Sequence, residues 1–264
     1  MHPADSSAVS VNWEKAKEVP MKAFGITHQG VVRQENQDNF RIDLSADGEL
    51  LTAVLCDGMG GAQAGNIASD MAADAFMSHA ANSLDDTSSF SDMADILSDA
   101  VNYANIKVYD RSFSDFSCMG MGSTLVAVLM NAKRTSVVNV GDSRAYLITK
   151  GKIQKITKDH SLVEELLSKG IITEEEARVH PKRNVITRAV GVEARVRCDV
   201  FDVKTPVGSK ILLCSDGLSN LLSDEDILSV VESDDNGERA VRELLDLALE
   251  RGAPDNVTVL LVQR

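Results

Sequence analysis

The sequence predicts an α+β fold in which two antiparallel sheets pack face to face and carry helices on their outer faces. Short apolar runs of strand length recur along the chain, and tight polar turns at Asn131–Lys133 and Lys150–Lys152 join neighbouring runs. Segments with helical spacing lie in groups between these runs and do not alternate with them one by one. This grouping favours a sheet-on-sheet core over a parallel β-α-β fold.

The N-terminal segment 1–20 is polar and aperiodic, and patterned sequence starts only after it. It is expected to be a flexible extension, a docking arm, or sequence upstream of a natural start at Met21. Two strands are predicted next, at Lys22–Thr27 and Asn39–Leu44, on either side of the polar segment VRQENQD. Because no break in composition follows, the rest of the chain, 21–264, is expected to form one domain.

A buried strand is predicted from Leu50 to Cys56, where an apolar run with a β-branched centre stops at Asp57. Glycines at 58, 60 and 61 follow, and they allow the backbone to adopt positive φ or to approach a ligand closely. A single Asp-Gly after a strand usually forms only a turn. The carboxylate of Asp57 is also a hard oxygen donor at the end of a strand, where it could hold a metal ion.

This pattern recurs at three other places in the chain. Lys210–Gly217 is a second apolar run that closes on Asp-Gly, Asp142 follows the run Ser136–Val140, and Asp255 precedes the run Val257–Val262. Aspartates at the ends of several strands can gather at one rim of a fold. Because a site made only of oxygen ligands suits Mg²⁺ or Mn²⁺ better than zinc, the sequence predicts a site for such an ion.

Helical spacing of apolar residues predicts two amphipathic helices after the glycine turn, over 64–76 and 90–108. Ser161 and Thr173 each precede a glutamate by three residues, the spacing of capping boxes that begin two short helices. The other helices are predicted at 223–232 and 237–251, the second ending at Gly252. The other strands are predicted at Thr124–Met130, Ser136–Val140, Arg144–Ile148, Ile153–Ile156, Val185–Thr187, Arg197–Val203, Lys210–Cys214 and Val257–Val262.

Composition excludes several classes of protein. With 27 Lys and Arg against 40 Asp and Glu, the formal charge is −13, which argues against nucleic acid or an anionic membrane as a partner. An anionic substrate remains compatible, because bound divalent ions invert the local field. The 4 cysteines form no CxxC pair and are expected to be reduced and buried. Without a long apolar run or a signal peptide, a soluble cytoplasmic protein is expected.

Several phosphate chemistries are absent from the sequence. There is no GxxxxGK[ST] nucleotide loop, no cysteine followed six positions later by arginine, no HExxH metal site and no GxSxG serine elbow. The aspartates therefore remain the best candidates for catalysis.

Eight motifs, in order and with consistent spacing, resemble those of the bacterial PPM/PP2C-type metal-dependent protein serine/threonine phosphatases. They are VRQENQD (32–38), DGMGG (57–61), GMGST (120–124), VGDSRAY (140–146), KDHSLV (158–163), HPKRNVITRAVG (180–191), SDGL (215–218) and APDNVTV (253–259). The family fold is a four-layer α-β-β-α sandwich of two antiparallel sheets flanked by helices. It agrees with the layout predicted from the patterns above.

The resemblance implies a ligand set for two Mn²⁺ or Mg²⁺ ions. Asp57 resembles the carboxylate that bridges the two ions, and the Gly58 carbonyl oxygen resembles a ligand of one of them. Asp216 and Asp255 resemble ligands of the second ion. Asn256 is expected to bond the turn that aims the Asp255 side chain.

The resemblance also implies supporting roles. Asp38 resembles an acid that acts near the second ion through a water. Asp142, together with Asp216, resembles the position of a weaker third ion, although it could merely shape its own turn. Arg33 resembles the arginine that grips the substrate phosphate, a role that suits its planar guanidinium fork. Ser69, Ser123 and Thr124 are expected to pack and hydrogen-bond, not to act as nucleophiles.

The implied reaction is direct hydrolysis. A water or hydroxide bridging two ions attacks phosphorus in line while the serine or threonine oxygen leaves, and no phosphoenzyme forms. The donor of the leaving-group proton is open: eukaryotic members have a histidine where this chain has Met59, and His160, His180 or a metal-bound water are candidates. Leu162–Val190 resembles a mobile flap subdomain that influences which phosphoprotein binds, the alternative being a plain surface helix pair.

The predicted function is a monomeric Mn²⁺- or Mg²⁺-dependent phosphatase of phosphoserine and phosphothreonine in proteins, opposing a bacterial serine/threonine kinase. One alternative is a phosphatase-like binding or regulatory protein without turnover, which the presence of Asp57, Asp216 and Asp255 disfavours. The other is a phosphatase of a small phosphorylated metabolite, which a deep closed pocket would favour over a shallow cleft.

Overall fold

The computed structural model describes residues 20–61, 64–80, 83, 89–233 and 235–264. The predicted N-terminal extension, 1–20, therefore lies outside the described residues except for Pro20. The strands are β1 (Lys22–His28), β2 (Asp38–Leu44), β3 (Leu51–Met59), β4 (Gly122–Ser123), β5 (Leu125–Met130), β6 (Thr135–Val140), β7 (Arg144–Thr149), β8 (Lys152–Lys155), β9 (Asp199–Val203), β10 (Lys210–Cys214) and β11 (Val257–Gln263).

The helices lie in groups between the strands, as the sequence predicts. They are α1 (Ala64–Ala80), α2 (Phe90–Ser114), α3 (Leu162–Ser168), α4 (Glu174–Arg178), α5 (Asp216–Ser219), α6 (Asp224–Ser233) and α7 (Gly237–Glu250), with a short 3-10 helix at Phe116–Cys118. Among these described helices, none is both long and apolar enough to cross a membrane.

The strands form two antiparallel sheets. One has the order β1-β11-β10-β7-β8, and the other has the order β2-β3-β5-β6-β9, with β4 paired to β3. The predicted turns do join hairpins: β5 pairs with β6 across Asn131–Arg134, and β7 pairs with β8 across Lys150 and Gly151. Both residues of the second turn have positive φ, as a tight two-residue hairpin requires.

Three apolar layers hold the sheets and helices together. The layer between the two sheets includes Leu55, Val126, Val137, Leu213 and Leu260. A second layer packs α1 and α2 on the β3-β5-β6 sheet, and a third packs α6 and α7 on the β10-β11 sheet. This is the predicted α-β-β-α sandwich, because each sheet has one face on the other sheet and one face under helices.

The structure corrects three local predictions. Val185–Thr187 is not a strand; Ile186 forms only an isolated bridge with Ser161, because the chain turns into α3 immediately after that serine. The central strand does not stop at Asp57 but continues to Met59, since β4 pairs with its end. The four-residue helix α5 begins at Asp216, where the sequence predicted no helix.

The four cysteines are free thiols, and Cys56, Cys118 and Cys214 are buried. Cys198 is half-buried, contrary to the expectation that all four are buried. Burial raises the pKa of Cys214 to about 12, so this thiol stays protonated and behaves as a small apolar side chain.

Candidate active site

The predicted aspartates come from both sheets and face one another at one end of the sandwich. Asp38 begins β2 and lies directly opposite Asp57 in the antiparallel register of β2 and β3. From the other sheet, Asp216 follows β10 and Asp255 precedes the neighbouring strand β11. Asp142 lies in the turn between β6 and β7, which connects the two sheets. The antiparallel fold thus brings together acids that are far apart in sequence.

Hydrogen bonds from the next strand fix the backbone of Asp57. Its N–H donates to the Thr124 hydroxyl at 2.9 Å, and its carbonyl accepts from the Thr124 N–H at 2.8 Å and from the Ser123 hydroxyl at 3.0 Å. Thr124 in turn shares a hydrogen bond with the Ser143 hydroxyl at 2.8 Å. These buried hydroxyls hold the position of Asp57, which agrees with the expectation that they are not nucleophiles.

Burial and mutual repulsion raise the pKa values of the acids. Burial raises the pKa of Asp57 well above its ordinary value, and the negative charges of the other four aspartates raise it further. Burial likewise raises the pKa of Asp142 to about 7 and, with the charge of Asp255, raises that of Asp216. Clustered acids with raised pKa values mark a place that lacks compensating positive charge.

Asp38 has one oxygen bound and one oxygen without a partner. Its Oδ2 accepts from the Ser215 hydroxyl at 2.8 Å and from the Thr258 hydroxyl at 2.7 Å, whereas its buried Oδ1 has no hydrogen-bond partner among the described residues. Burial raises the pKa of Asp38 to about 7 although both hydroxyls lower it. An orphaned, fully buried carboxylate oxygen is costly unless a cation, a proton or a water satisfies it.

The first turn of α1 approaches the backbone beside Asp57 so closely that only glycine fits there. A Cβ atom at Gly58 would lie 2.0 Å from the Gly65 carbonyl oxygen, while the Gly58 N–H donates to the Gln37 carbonyl at 2.9 Å. The backbone at Gly58 is therefore held between α1 and the segment that leads into β2.

Arg33 lies at the rim of the acid cluster. Its Nη2 donates to Asp255 Oδ2 at 2.7 Å, and this hydrogen bond, together with the charges of Asp57 and Asp216, raises the pKa of the guanidinium. The Arg33 side chain is 53% exposed, so solvent and a ligand can reach it.

Asn256 holds the loop that carries Arg33. Its Nδ2 donates to the Gln29 carbonyl at 2.8 Å and to the Glu35 carbonyl at 2.9 Å, and its Oδ1 accepts from the Gln37 N–H at 2.9 Å. Its own N–H donates to Asp255 Oδ1 at 2.8 Å. Asn256 therefore does more than the sequence predicted: besides bonding Asp255, it clamps both ends of the Arg33 loop.

The donor set fits a hard divalent ion, although it is not gathered around one point. Within the described parts of the chain, no three acidic, histidine or cysteine side chains form a preformed metal cluster. Asp255 is paired with Arg33, and the negative charges of the other aspartates act on Asp57 without a cation between them. The all-oxygen donors, the raised pKa values and the orphaned Asp38 Oδ1 are what divalent cations would satisfy.

His160 is enclosed in a hydrogen-bond network and is poorly placed to donate a proton. Its Nδ1 accepts from the Gly141 N–H at 3.1 Å, so the ring proton is on Nε2, which lies 3.1 Å from Asp199 Oδ2. Burial lowers the pKa of His160. His180, the other candidate, accepts the Lys182 N–H at its Nδ1.

The sequence patterns did not predict the two hydroxyls that hold Asp38. Ser215 precedes Asp216 at the end of β10, and Thr258 is the one polar residue within the apolar run of β11 before Gln263. A polar residue inside a fully buried strand was the available signal, because such a side chain needs a partner.

Comparison with known proteins gives a consistent result. A family model described as protein phosphatase 2C matches residues 27–246. A serine/threonine phosphatase of Listeria monocytogenes, Stp, is 36% identical over 242 residues, which cover 90% of this chain and 94% of that protein.

Solved structures agree with the sequence comparison. A serine/threonine phosphatase of S. agalactiae superposes with a TM-score of 0.85 at 36% identity, covering 92% of this chain and 99% of the other. The catalytic domain of the serine/threonine protein phosphatase PstP, solved in complex with two manganese ions, superposes with a TM-score of 0.76 at 34% identity, covering 92% and 97%.

Proposed function

The chain belongs to the protein phosphatase 2C family, and from this membership we propose that it hydrolyses phosphoserine and phosphothreonine in proteins with the help of Mn²⁺ or Mg²⁺. The observation that carries the proposal is the cluster of mutually repelling, half-buried aspartates together with the buried Asp38 and its orphaned Oδ1. That the related PstP domain binds two manganese ions supports the choice of metal.

The acids would divide the work of holding the ions. Asp57 would bridge two ions, the Gly58 carbonyl would serve one, and Asp216 and Asp255 would serve the other. Asp38 would act through a water at its free Oδ1, because its Oδ2 already accepts two hydroxyl hydrogen bonds. Asp142 is proposed to help hold a third, weaker ion together with Asp216.

Bound there, Mn²⁺ or Mg²⁺ would supply Lewis-acid chemistry: a lowered pKa for a coordinated water and compensation of the charge that develops on the phosphoryl group. Arg33 would then release Asp255 to the metal and turn its guanidinium toward the substrate phosphate. Its exposed position makes that exchange possible, and its donors would stabilise the phosphoryl oxygens in the transition state. Because His160 is tied to Gly141 and Asp199, we assign the leaving-group proton to His180 or to solvent at the metal site.

A protein substrate suits this site better than a small metabolite. The side chains of Arg33 and its partner Asp255 are 53% and 32% exposed. The proposed phosphate-binding arginine therefore lies at the surface and not in a closed pocket. A catalytically silent binding protein is disfavoured because every acid of the proposed ligand set is present. We further propose that the enzyme acts as a monomer, opposes a serine/threonine kinase, and uses residues 162–190 as a substrate-selecting flap.

The test is phosphate release from a phosphothreonine peptide, measured with Mn²⁺, with EDTA, and with the Asp57→Ala variant. We expect turnover only with Mn²⁺ and an intact Asp57. Absence of turnover on both the peptide and a generic aryl phosphate, in protein shown to bind Mn²⁺, would favour the binding-protein alternative.

A further inference from the structure

A groove of about 220 Å³ begins beside the acid cluster and is lined by residues 186–189, at the end of the proposed flap, and by residues between 192 and 197, which follow it. Its end nearest the acids is Met59, two residues after Asp57 on β3. Alternate residues of a strand face the same side and are about 7 Å apart, so Met59 and Asp57 face one side of the strand. The groove is thus a continuation of the candidate active site.

The lining of the groove is basic, although the protein as a whole carries a formal charge of −13. Three arginines line it, at 188, 195 and 197, against the single acid Glu193. Arg188 is held by Asp199 at 2.9 Å. Arg195 and Arg197 are exposed, and neither has an ion pair with any residue that the structure describes. Two arginines beside the site are therefore available to a ligand.

The segment that leads to these arginines is anchored by α2 and by Ser123. The buried Asn105 of α2 accepts from the Gly191 N–H at 2.8 Å and donates to the Glu193 carbonyl at 3.0 Å. The adjacent Val190 exchanges two backbone hydrogen bonds with Ser123, at 2.8 and 3.0 Å. Because Ser123 also bonds Asp57, the groove and the acid cluster share one support. The backbone that leads to Arg195 and Arg197 is therefore held at residues 190–193.

We propose that this groove selects phosphoproteins with acidic side chains close to the phosphorylated residue. An extended peptide advances about 3.3 Å per residue, so a carboxylate roughly two to four positions from the phosphoresidue would reach past Met59 to the arginines. Guanidinium groups bind carboxylates through charge-assisted hydrogen bonds, and apolar neighbours such as Val192 and Val196 can contact the peptide between them. This inference names a substrate class for the proposed function and rests on it.

The test compares three phosphothreonine peptides of equal length whose flanking residues are glutamate, glutamine or lysine. They are assayed with Mn²⁺ on the wild type, on the double variant Arg195→Gln with Arg197→Gln, and on Arg242→Gln. Arg242 is an exposed arginine on α7, which packs on the other sheet, and serves as the matched control. An aryl phosphate, too small to reach the groove, is assayed with every variant.

For the wild type and Arg242→Gln we expect kcat/KM to be about tenfold higher for the glutamate peptide than for the glutamine peptide, and lowest for the lysine peptide. The double variant should lose this preference and keep its aryl phosphate turnover, and added salt should reduce the preference of the wild type. Equal kcat/KM for the three peptides, or a preference that survives in the double variant, would overturn the inference alone. Failure of all substrates, the aryl phosphate included, would overturn the proposed function as well.

Discussion

Asp38 and Asp57 are costly to the ion-free fold, and the proposed function needs both. They are opposite each other on neighbouring strands, and burial raises the pKa of both. The charge of Asp38 raises the pKa of Asp57 further, and the charges of Asp216 and Asp255 raise that of Asp38. A neutral residue at either position would relieve repulsion in the ion-free protein. Strained electrostatics of this kind are typical of sites that bind a charged ligand.

Asp57→Asn tests the most central of these residues. Because the amide cannot take the role of a bridging carboxylate, we expect Mn²⁺-dependent turnover of the phosphothreonine peptide to fall by roughly 10²-fold or more. The matched control is Asp43→Asn, an exposed aspartate on β2, which should leave turnover unchanged. Substantial residual turnover in Asp57→Asn would refute the role assigned to Asp57.

At the scale of elements, the site depends on loops and turns that are fixed from a distance. Asn256, which is 6% exposed, clamps the Arg33 loop at both ends, and α1 presses on β3 at Gly58. Neither Asn256 nor α1 supplies a proposed metal ligand or the proposed phosphate-binding arginine. Asn256 holds the loop of Arg33, and α1 holds the backbone beside Asp57. Substitutions at the two places should therefore have separate effects on substrate binding and on folding stability.

Asn256→Ala should loosen the Arg33 loop. Loss of three side-chain hydrogen bonds should lower the free energy of unfolding by about 1–3 kcal/mol, and kcat/KM for a phosphopeptide should fall about tenfold, mainly through KM. The control is Asn131→Ala, a buried asparagine that bonds the Lys133 and Arg134 N–H groups at the opposite end of β5. If Asn131→Ala lowered the stability equally and raised KM as much as Asn256→Ala does, the positioning role of Asn256 would be refuted.

Gly58→Ala should disturb the contact between β3 and α1, because the added Cβ would lie 2.0 Å from the Gly65 carbonyl oxygen. Overpacking of this kind costs about 1–3 kcal/mol, and the shift of backbone beside Asp57 should also reduce Mn²⁺-dependent turnover. At Gly61 an added Cβ meets no described atom within 4 Å, so Gly61→Ala should be nearly neutral. Thermal unfolding and phosphopeptide assays on both variants test this prediction. Equal stability and equal turnover of Gly58→Ala and Gly61→Ala would contradict it.

At the scale of the whole molecule, the acid cluster sets how stability depends on pH. Asp38 and Asp142 have folded pKa values of about 7, and those of Asp57 and Asp216 are also raised. Between the ordinary aspartate pKa and about pH 7 the folded state therefore binds more protons than the unfolded state. The stability of the ion-free protein must then fall as pH rises through this window.

Urea unfolding in EDTA at about pH 5 and about pH 8 measures this effect. We expect a lower free energy of unfolding at the higher pH, with a smaller difference in Asp57→Asn. The lowered pKa of His160 acts in the opposite direction, because a histidine held neutral by burial favours the folded state as pH rises. We expect the four aspartates with raised pKa values to outweigh this single histidine. Mn²⁺ should stabilise most at the higher pH, where the carboxylates are ionised. Stability that rises with pH in EDTA would contradict this prediction.

Local patterns predicted the strands and the acids because both have local causes. An apolar run that closes on Asp-Gly identifies Asp57 and Asp216 without knowledge of any partner. The contacts that complete the site are not local: Ser215 and Thr258 reach Asp38 across 177 and 220 residues, and Arg33 reaches Asp255 across 222. The predicted strand Val185–Thr187 failed for the same reason, because strand pairing depends on which neighbour the fold supplies.

The most direct measurement is anomalous diffraction at the manganese edge from crystals of the wild type grown with Mn²⁺ and, in parallel, of Asp57→Asn. We expect two strong anomalous peaks between Asp57, Asp216 and Asp255 in the wild type and the loss of at least one in the variant. Manganese bound elsewhere, or a wild-type site without peaks at saturating Mn²⁺, would contradict the claim that these aspartates form the metal centre.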